Sequence, residues 1–176
     1  MSLSMYQLTV PVLKKGINNL AGVLAKAKAH CAEKQIDPDA LLHDRLFPNM
    51  FPLVRQVQVA CDQAKNASAY FAGLEPPVYE DTETSFDGLI ARIAKTVAYL
   101  DQLDAARIEG SEERPISFAI GAYRMAFPSG QVYLQNFVLP NFYFHLTTAY
   151  NILRHNGVDL GKGDFLGDMG AEVTMA

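Results

Sequence analysis

The side chains best suited to acid–base or ligand chemistry are one histidine and three polar residues at helical spacing. His145 lies in a stretch, 129–153, that contains no Asp, Glu, Lys or Arg, and Asn141 precedes it by four residues. Gln58 and Asp62 have the same spacing earlier in the chain. Since residues four apart share one face of a helix, the two pairs converge in one cleft if their helices face each other. A carboxylate beside an imidazole raises its pKa and fixes its tautomer, which suits general acid–base catalysis.

Two interpretations of these side chains stay open on the residues alone. In the first, Asp62 and His145 are a catalytic acid–base pair, and Gln58 and Asn141 line the same pocket. Arg55 lies beside them and is suited to an anionic group of a ligand. In the second, the polar groups form a buried network in which they satisfy one another, as buried polar groups normally do.

The elements that must position these residues are helices. Apolar residues repeat at alternating steps of four and three over a first helix, predicted from Val10 to Glu33. A second helix is predicted from Pro52 to Ala72, and it carries Gln58 and Asp62. A third begins near Phe86, after a linker with two prolines. Its predicted inner face consists of Phe86, Ile90, Ile93, Val97 and Leu100.

A change of period after residue 115 predicts a β-hairpin between the third and fourth helices. Ile116–Ile120 and Tyr123–Phe127 alternate between apolar and other residues, and Gly121-Ala122 suits a two-residue turn with positive φ at its first position. The chain is therefore predicted to be an all-α four-helix bundle with one small hairpin.

The fourth helix is predicted to begin at Ser129, to end at His155–Gly157 and to be kinked or broken at Pro140. Its apolar side chains cover more than one face, and a helix that is apolar on several faces is buried on several sides. In so small a bundle a second copy of the chain would cover the extra face. We therefore expect a homodimer.

Composition favours one domain over residues 1–176, with a mostly irregular tail from 158 to 176. There are 15 Lys and Arg against 19 Asp and Glu, and the basic residues form no stripe, so nucleic-acid binding is not expected. The uncharged stretch 129–153 is too polar for a lipid-facing span, and no signal peptide is visible at the start. We expect a cytoplasmic protein without a membrane partner. Cys31 and Cys61 lie within apolar stripes and are expected to be inert core thiols.

Three long stretches resemble a bacterial family known only as a domain of unknown function. They are PNMFPLVRQVQVACDQAK (48–65), FAGLEPPVYEDTETSF (71–86) and LPNFYFHLTTAYNILRHNGVDLGKGDFLG (139–167). The family is similar to the DinB/YfiT-like four-helix bundles, and the resemblance covers nearly the whole chain. It implies that fold but supplies no reaction.

The wider superfamily resembles a set of metal-dependent transferases, isomerases and hydrolases. Their usual metal site takes one histidine from helix two and two from helix four. By that resemblance the helix-two position is Gln58 and the helix-four positions are Asn141 and His145, so one imidazole of three remains. Amide oxygens are weak ligands for Zn²⁺ and similar ions, and Asp62 adds only one carboxylate. The resemblance thus implies a degenerate site, and we expect no metal or other cofactor.

Three functions remain in competition. The first is a metal-free protein that binds a small molecule at the former metal site, among Arg55, Gln58, Asp62, Asn141 and His145. The second is a diverged enzyme, a transferase or hydrolase, that uses Asp62 and His145. The third is a structural homodimer without a catalytic site.

Overall fold

The apolar periods of the sequence become helices close to their predicted bounds. The computed structural model describes residues 3–172 and 174. The described helices are α1 Met5–Leu8, α2 Val10–Lys34, α3 Pro38–Leu42, α4 Leu53–Phe71, α5 Phe86–Leu100, α6 Ala105–Ile108, α7 Gly130–Tyr133, α8 Leu139–His155 and α9 Lys162–Leu166. A 3₁₀ turn covers Ser111–Glu113, a π turn covers Leu134–Val138, and the strands are β1 Ile116–Ile120 and β2 Tyr123–Phe127. None of the described helices is long and apolar enough to cross a membrane.

The core lies between the four longest helices. Helix α4 packs against α8, α5 and α2, and α2 also packs against α5 and α8. The stripe predicted on α2 is buried from Leu13 to Cys31. Helix α4 buries residues on two adjoining faces, Gln56 and Gln58 included, because it has neighbours on three sides. This central position makes α4 the helix from which a site would be built.

The hairpin forms at the predicted residues. Strands β1 and β2 are antiparallel, with Ile116 opposite Phe127 and Ile120 opposite Tyr123. Gly121 has φ +55°, the positive value that a tight turn requires at this position. The hairpin packs through its aromatic side chains. The Phe118 ring stacks on Tyr70 of α4 at 4.9 Å between centroids, and the Phe127 ring lies 4.9 Å from the ring of Tyr133 in the fourth helix. The hairpin thereby covers part of the apolar fourth helix.

The fourth helix is continuous in backbone conformation but changes its hydrogen-bond spacing. Its first turn, α7, passes into the π turn Leu134–Val138, and α8 begins at Leu139. Pro140 follows the π turn by two residues, where its missing N–H and fixed φ are tolerated. The chain is therefore helical through Pro140, and a π turn just before the proline takes the place of the predicted break.

The tail contains one helix that its glycine-rich sequence does not suggest. Helix α9 packs on α2, where the Asn19 amide donates to the Phe165 carbonyl at 3.0 Å. Lys26 and Asp164 form an ion pair at 2.6 Å. These tertiary contacts stabilise a five-residue helix that would not persist alone.

Two glycines of α2 are expected to respond in opposite directions to the same substitution. A Cβ at Gly16 would lie 2.6 Å from Cε1 of Phe142 and 2.9 Å from Leu146, whereas a Cβ at Gly22 would contact nothing within 4 Å. We expect Gly22→Ala to raise the free energy of unfolding by about 0.5–1 kcal/mol, because alanine favours the helix. Gly16→Ala should lower it by about 1–3 kcal/mol through overpacking. Urea unfolding of both variants measures the difference, and equal shifts would contradict this packing.

Candidate functional site

His145 lies on the buried side of α8, where α8 packs on α4, and its side chain is 7% exposed. Its Nδ1 lies 2.7 Å from Oε1 of Gln56. The Gln56 amide is oriented by a second bond, in which Nε2 donates to the Phe51 carbonyl at 3.0 Å. Because Oε1 can only accept, Nδ1 of His145 carries the proton and Nε2 carries the lone pair.

The surroundings keep this imidazole neutral. Burial, together with the positive charge of Arg55, lowers the pKa of His145 from 6.5 to about 4. At neutral pH only about one molecule in a thousand would carry the imidazolium form. His145 is thus a fixed hydrogen-bond acceptor and a weak base.

One aromatic side chain packs against the imidazole, and a second lies near its hydrogen-bond partner. The Phe144 ring meets the His145 ring edge-on at 5.2 Å between centroids, and Phe144 is 54% exposed. Phe51, whose carbonyl holds Gln56, is 51% exposed. The Arg55 guanidinium lies 5.8 Å from the centre of the Phe51 ring. The Phe144 ring therefore lies beside the imidazole, and Gln56 connects the imidazole to Phe51, whose ring lies near the Arg55 guanidinium.

Asp62 is engaged elsewhere. Its Oδ1 lies 3.1 Å from a guanidinium nitrogen of Arg92 and 3.3 Å from Nζ of Lys65. Within residues 3–172 no hydrogen bond or ion pair joins Asp62 to His145. The geometry therefore does not pair these two residues as an acid and a base.

The three predicted pocket residues are divided between two surroundings. Oε1 of Gln58 accepts from Arg55 at 3.3 Å, and its Nε2 donates to Glu83 at 2.8 Å, so both ends of this amide are occupied. Arg55 also pairs with Asp81. Asn141 lies half-buried on α8, one turn before His145, and its side chain forms no hydrogen bond with a described residue. Arg55 thus links the His145 side to a cluster of carboxylates.

That cluster is centred on Arg92, a residue that is 4% exposed. One guanidinium nitrogen donates to the Glu80 carbonyl at 2.9 Å and to Glu83 at 3.0 Å, and the other contacts Asp62 and Asp81. Residues 74–85, which we call the strap, are thereby held against α4 and α5. A polar cavity of about 500 Å³ adjoins Arg92 and the strap, and His145 does not line it.

The strap is also held by a tyrosine between two lysines. The Tyr79 ring has Nζ of Lys65 at 4.3 Å and Nζ of Lys95 at 4.1 Å from its centre. Each cation is attracted to the aromatic ring. Nζ of Lys65, nearly buried, also donates to the Pro77 carbonyl.

Sequence reasoning missed both Gln56 and Arg92. Arg92 follows Leu89 by three residues and precedes Thr96 by four, and all three are buried on α5. A charged residue on such an apolar stripe signals a buried, paired cation. Gln56 has a weaker signal, since Arg55 is the one charged residue between positions 52 and 61.

The described residues offer a poor set of metal donors. Among them no group of three or more His, Cys, Asp or Glu side chains is placed to hold a metal ion. Of the positions that the resemblance implies, His145 offers one imidazole nitrogen, while the Gln58 amide is already bonded at both ends. The residues present therefore do not fit a tightly bound Zn²⁺ or Ni²⁺ ion.

Comparison with known proteins identifies a matching family and a similar solved structure. A model of a family described as a domain of unknown function (DUF1993) matches residues 5–166. A crystal structure described as a DinB family member protein from Shewanella denitrificans is 37% identical, with a TM-score of 0.85, over 96% of this chain and 95% of that chain. No significant match was found among curated proteins.

Proposed function

Because this chain belongs to the family DUF1993, whose function is unknown, and has a DinB-like fold, we propose a function from its own side chains. We propose that it is a metal-free four-helix bundle that binds a small organic molecule beside His145. The molecule donates a hydrogen bond to Nε2 of the neutral imidazole, and an aromatic or apolar part of it packs on Phe144 and Phe51.

The tautomer of His145 carries this proposal. A chain of two hydrogen bonds, from Phe51 through Gln56, fixes the ring and leaves its lone pair for a ligand. Side-chain amides and carbonyls commonly orient functional histidines in this way.

The lowered basicity favours binding over acid–base catalysis. An efficient general base has a pKa near the working pH, whereas the pKa of His145 is about 4. Asp62 is held by Arg92 and Lys65, which leaves the enzyme alternative without its acid–base pair. The donor set likewise supports a ligand without a transition metal.

Nitrogen-15 NMR of the imidazole rings tests the proposal, with phenol as the probe. We expect His145 to show a protonated Nδ1 and a free Nε2 down to about pH 5, and phenol to shift the Nε2 signal. His155, exposed at the end of the same helix, is the matched control and should not respond. A phenol-insensitive Nε2, or binding that survives His145→Ala, would rule out this site. Titration with ZnCl₂ should show no stoichiometric complex, and a tight one would refute the metal-free assignment.

The expected homodimer stays a prediction. The hairpin covers part of the fourth helix, but Tyr143 and Phe144 remain 39% and 54% exposed. A second copy would cover these two rings, and the structural alternative depends on that contact. Sedimentation equilibrium of the protein and of Tyr143→Ser measures it, and a monomer at high concentration would exclude it. The cytoplasmic location is likewise an expectation.

A further inference from the structure

We propose a second, independent binding site: the apolar cavity between α2, α8 and α9 takes a small molecule with a hydrocarbon chain and a carboxylate head that pairs with Lys15. This site shares no side chain with the one proposed at His145, so a result that refutes one site does not refute the other.

The cavity is apolar and of ligand size. Its volume is about 270 Å³, and its walls include Leu20, Val23, Leu146, Tyr150 and Phe165. About nine water molecules occupy this volume in liquid water, and the volume is slightly below the usual range of ligand pockets. Water molecules find few hydrogen-bond partners on such walls, whereas a short hydrocarbon chain makes the van der Waals contacts that the empty cavity lacks.

One wall of the cavity is held by a few polar contacts. Helix α9, which supplies Phe165 and Leu166, has no fully buried residue. It is tied to the rest of the chain through Asn19, through the Lys26–Asp164 pair, and through Tyr150, whose hydroxyl donates to the Leu160 carbonyl at 3.3 Å. Such a short, peripheral helix can move outwards to admit a ligand at small cost.

Lys15 supplies the charge at this cavity. It is exposed and lines the cavity, and it forms no ion pair with any residue in the described part of the chain. Three other lysines of α2 are already paired: Lys14 with Asp101, Lys26 with Asp164 and Lys28 with Asp87. The walls contribute no carboxylate. A hydrocarbon chain in the cavity would therefore place its polar head beside an ammonium group, which favours a carboxylate.

Calorimetry with three eight-carbon compounds tests the head group. At low salt we expect octanoate to bind more tightly than octanol, and octylammonium to bind least. Each CH₂ that enters the cavity should tighten binding roughly fourfold, so hexanoate, with two fewer, should bind roughly 15-fold more weakly than octanoate. Equal affinities of octanoate and octylammonium, or no octanoate binding, would overturn the proposal.

Two variants with the same change in charge locate the site. Lys15→Gln should weaken octanoate about threefold and leave octanol unchanged. Arg124→Gln, which removes an exposed cation from β2 instead, should change neither. If both substitutions weakened octanoate binding equally, the attraction would come from the net charge of the protein, and the role of Lys15 would be refuted.

Filling the cavity gives a test that does not depend on charge. Val12→Trp and Leu166→Trp each place an indole at its rim from a different helix. Both are expected to abolish octanoate binding while circular dichroism and phenol binding at His145 stay unchanged. Octanoate binding that persists in a folded variant of either kind would overturn the site.

Discussion

Replacing Arg92 by methionine is expected to lower the free energy of unfolding by about 4 kcal/mol at pH 7. The guanidinium is buried and bonds Asp62, Asp81, Glu83 and the Glu80 carbonyl. Its removal leaves Glu83, a carboxylate partly withdrawn from water, without a cation, and leaves Asp62 and Asp81 with one cation each, Lys65 and Arg55. Urea unfolding measures the loss, and the strap should become susceptible to proteolysis before the rest of the chain.

Two comparisons identify the cause of that loss. Lys95→Met removes an exposed cation that contacts only one side of the Tyr79 ring, and it should cost about 1 kcal/mol or less. Adding Glu83→Gln to Arg92→Met should restore part of the stability, because the carboxylate that Arg92→Met leaves without a cation is then neutral. If Arg92→Met costs no more than Lys95→Met, the cluster does not stabilise the fold.

Acidification is expected to weaken the fold through His145. The pKa of His145 is lowered from 6.5 to about 4 by burial and by Arg55, so between these pH values the unfolded chain binds a proton that the folded chain does not. The full stability is present above pH 6.5 and is lost as the pH falls through this window. At about 1.4 kcal/mol per pH unit, the loss approaches about 3 kcal/mol.

The contribution of His145 is measured as the slope of the free energy of unfolding against pH between pH 5 and 6. The native protein should show a slope of up to about 1.4 kcal/mol per pH unit, and His145→Gln should flatten it. Burial alone would raise the pKa of Glu83, but hydrogen bonds from Gln58 and Arg92 outweigh it and lower that pKa from its ordinary value of 4.5, so this carboxyl does not contribute to the slope between pH 5 and 6. His155→Gln, at an exposed position, should leave the slope unchanged, and equal slopes in all three proteins would disprove the assignment.

The elements that local sequence determines were predictable. The start of α2 at Val10 and the hairpin turn at Gly121 follow from apolar periodicity and turn chemistry, which involve near neighbours. The form of the fourth helix was only partly predictable, because a π turn has no sequence signal as plain as a proline.

The candidate site was predicted to the right pair of helices but not to the right contacts. His145 faces α4 as expected, yet its partner is Gln56 rather than Gln58 or Asp62. Periodicity gives one inner face to a helix, whereas α4 is buried on two adjoining faces. A step of two residues corresponds to about 200° around a helix, so the choice between Gln56 and Gln58 depends on tertiary packing. The prediction that the Asp62 carboxylate pairs with the imidazole takes no account of the buried cation Arg92, which Asp62 contacts instead.

The π turn at Leu134–Val138 lets the fourth helix hold one residue more than a regular helix would between the same two ends. Because a π turn accommodates one residue more than a regular helical turn, its five residues rotate the chain about as far as four residues of an α-helix. Deleting one residue here would therefore leave Tyr133 and His145 in the same relative direction, whereas deleting one residue within α8 would rotate the two apart by about 100°. Among homologous chains, the fourth helix is thus expected to tolerate a single-residue change of length at this point, with the hairpin packing and the direction of His145 both retained.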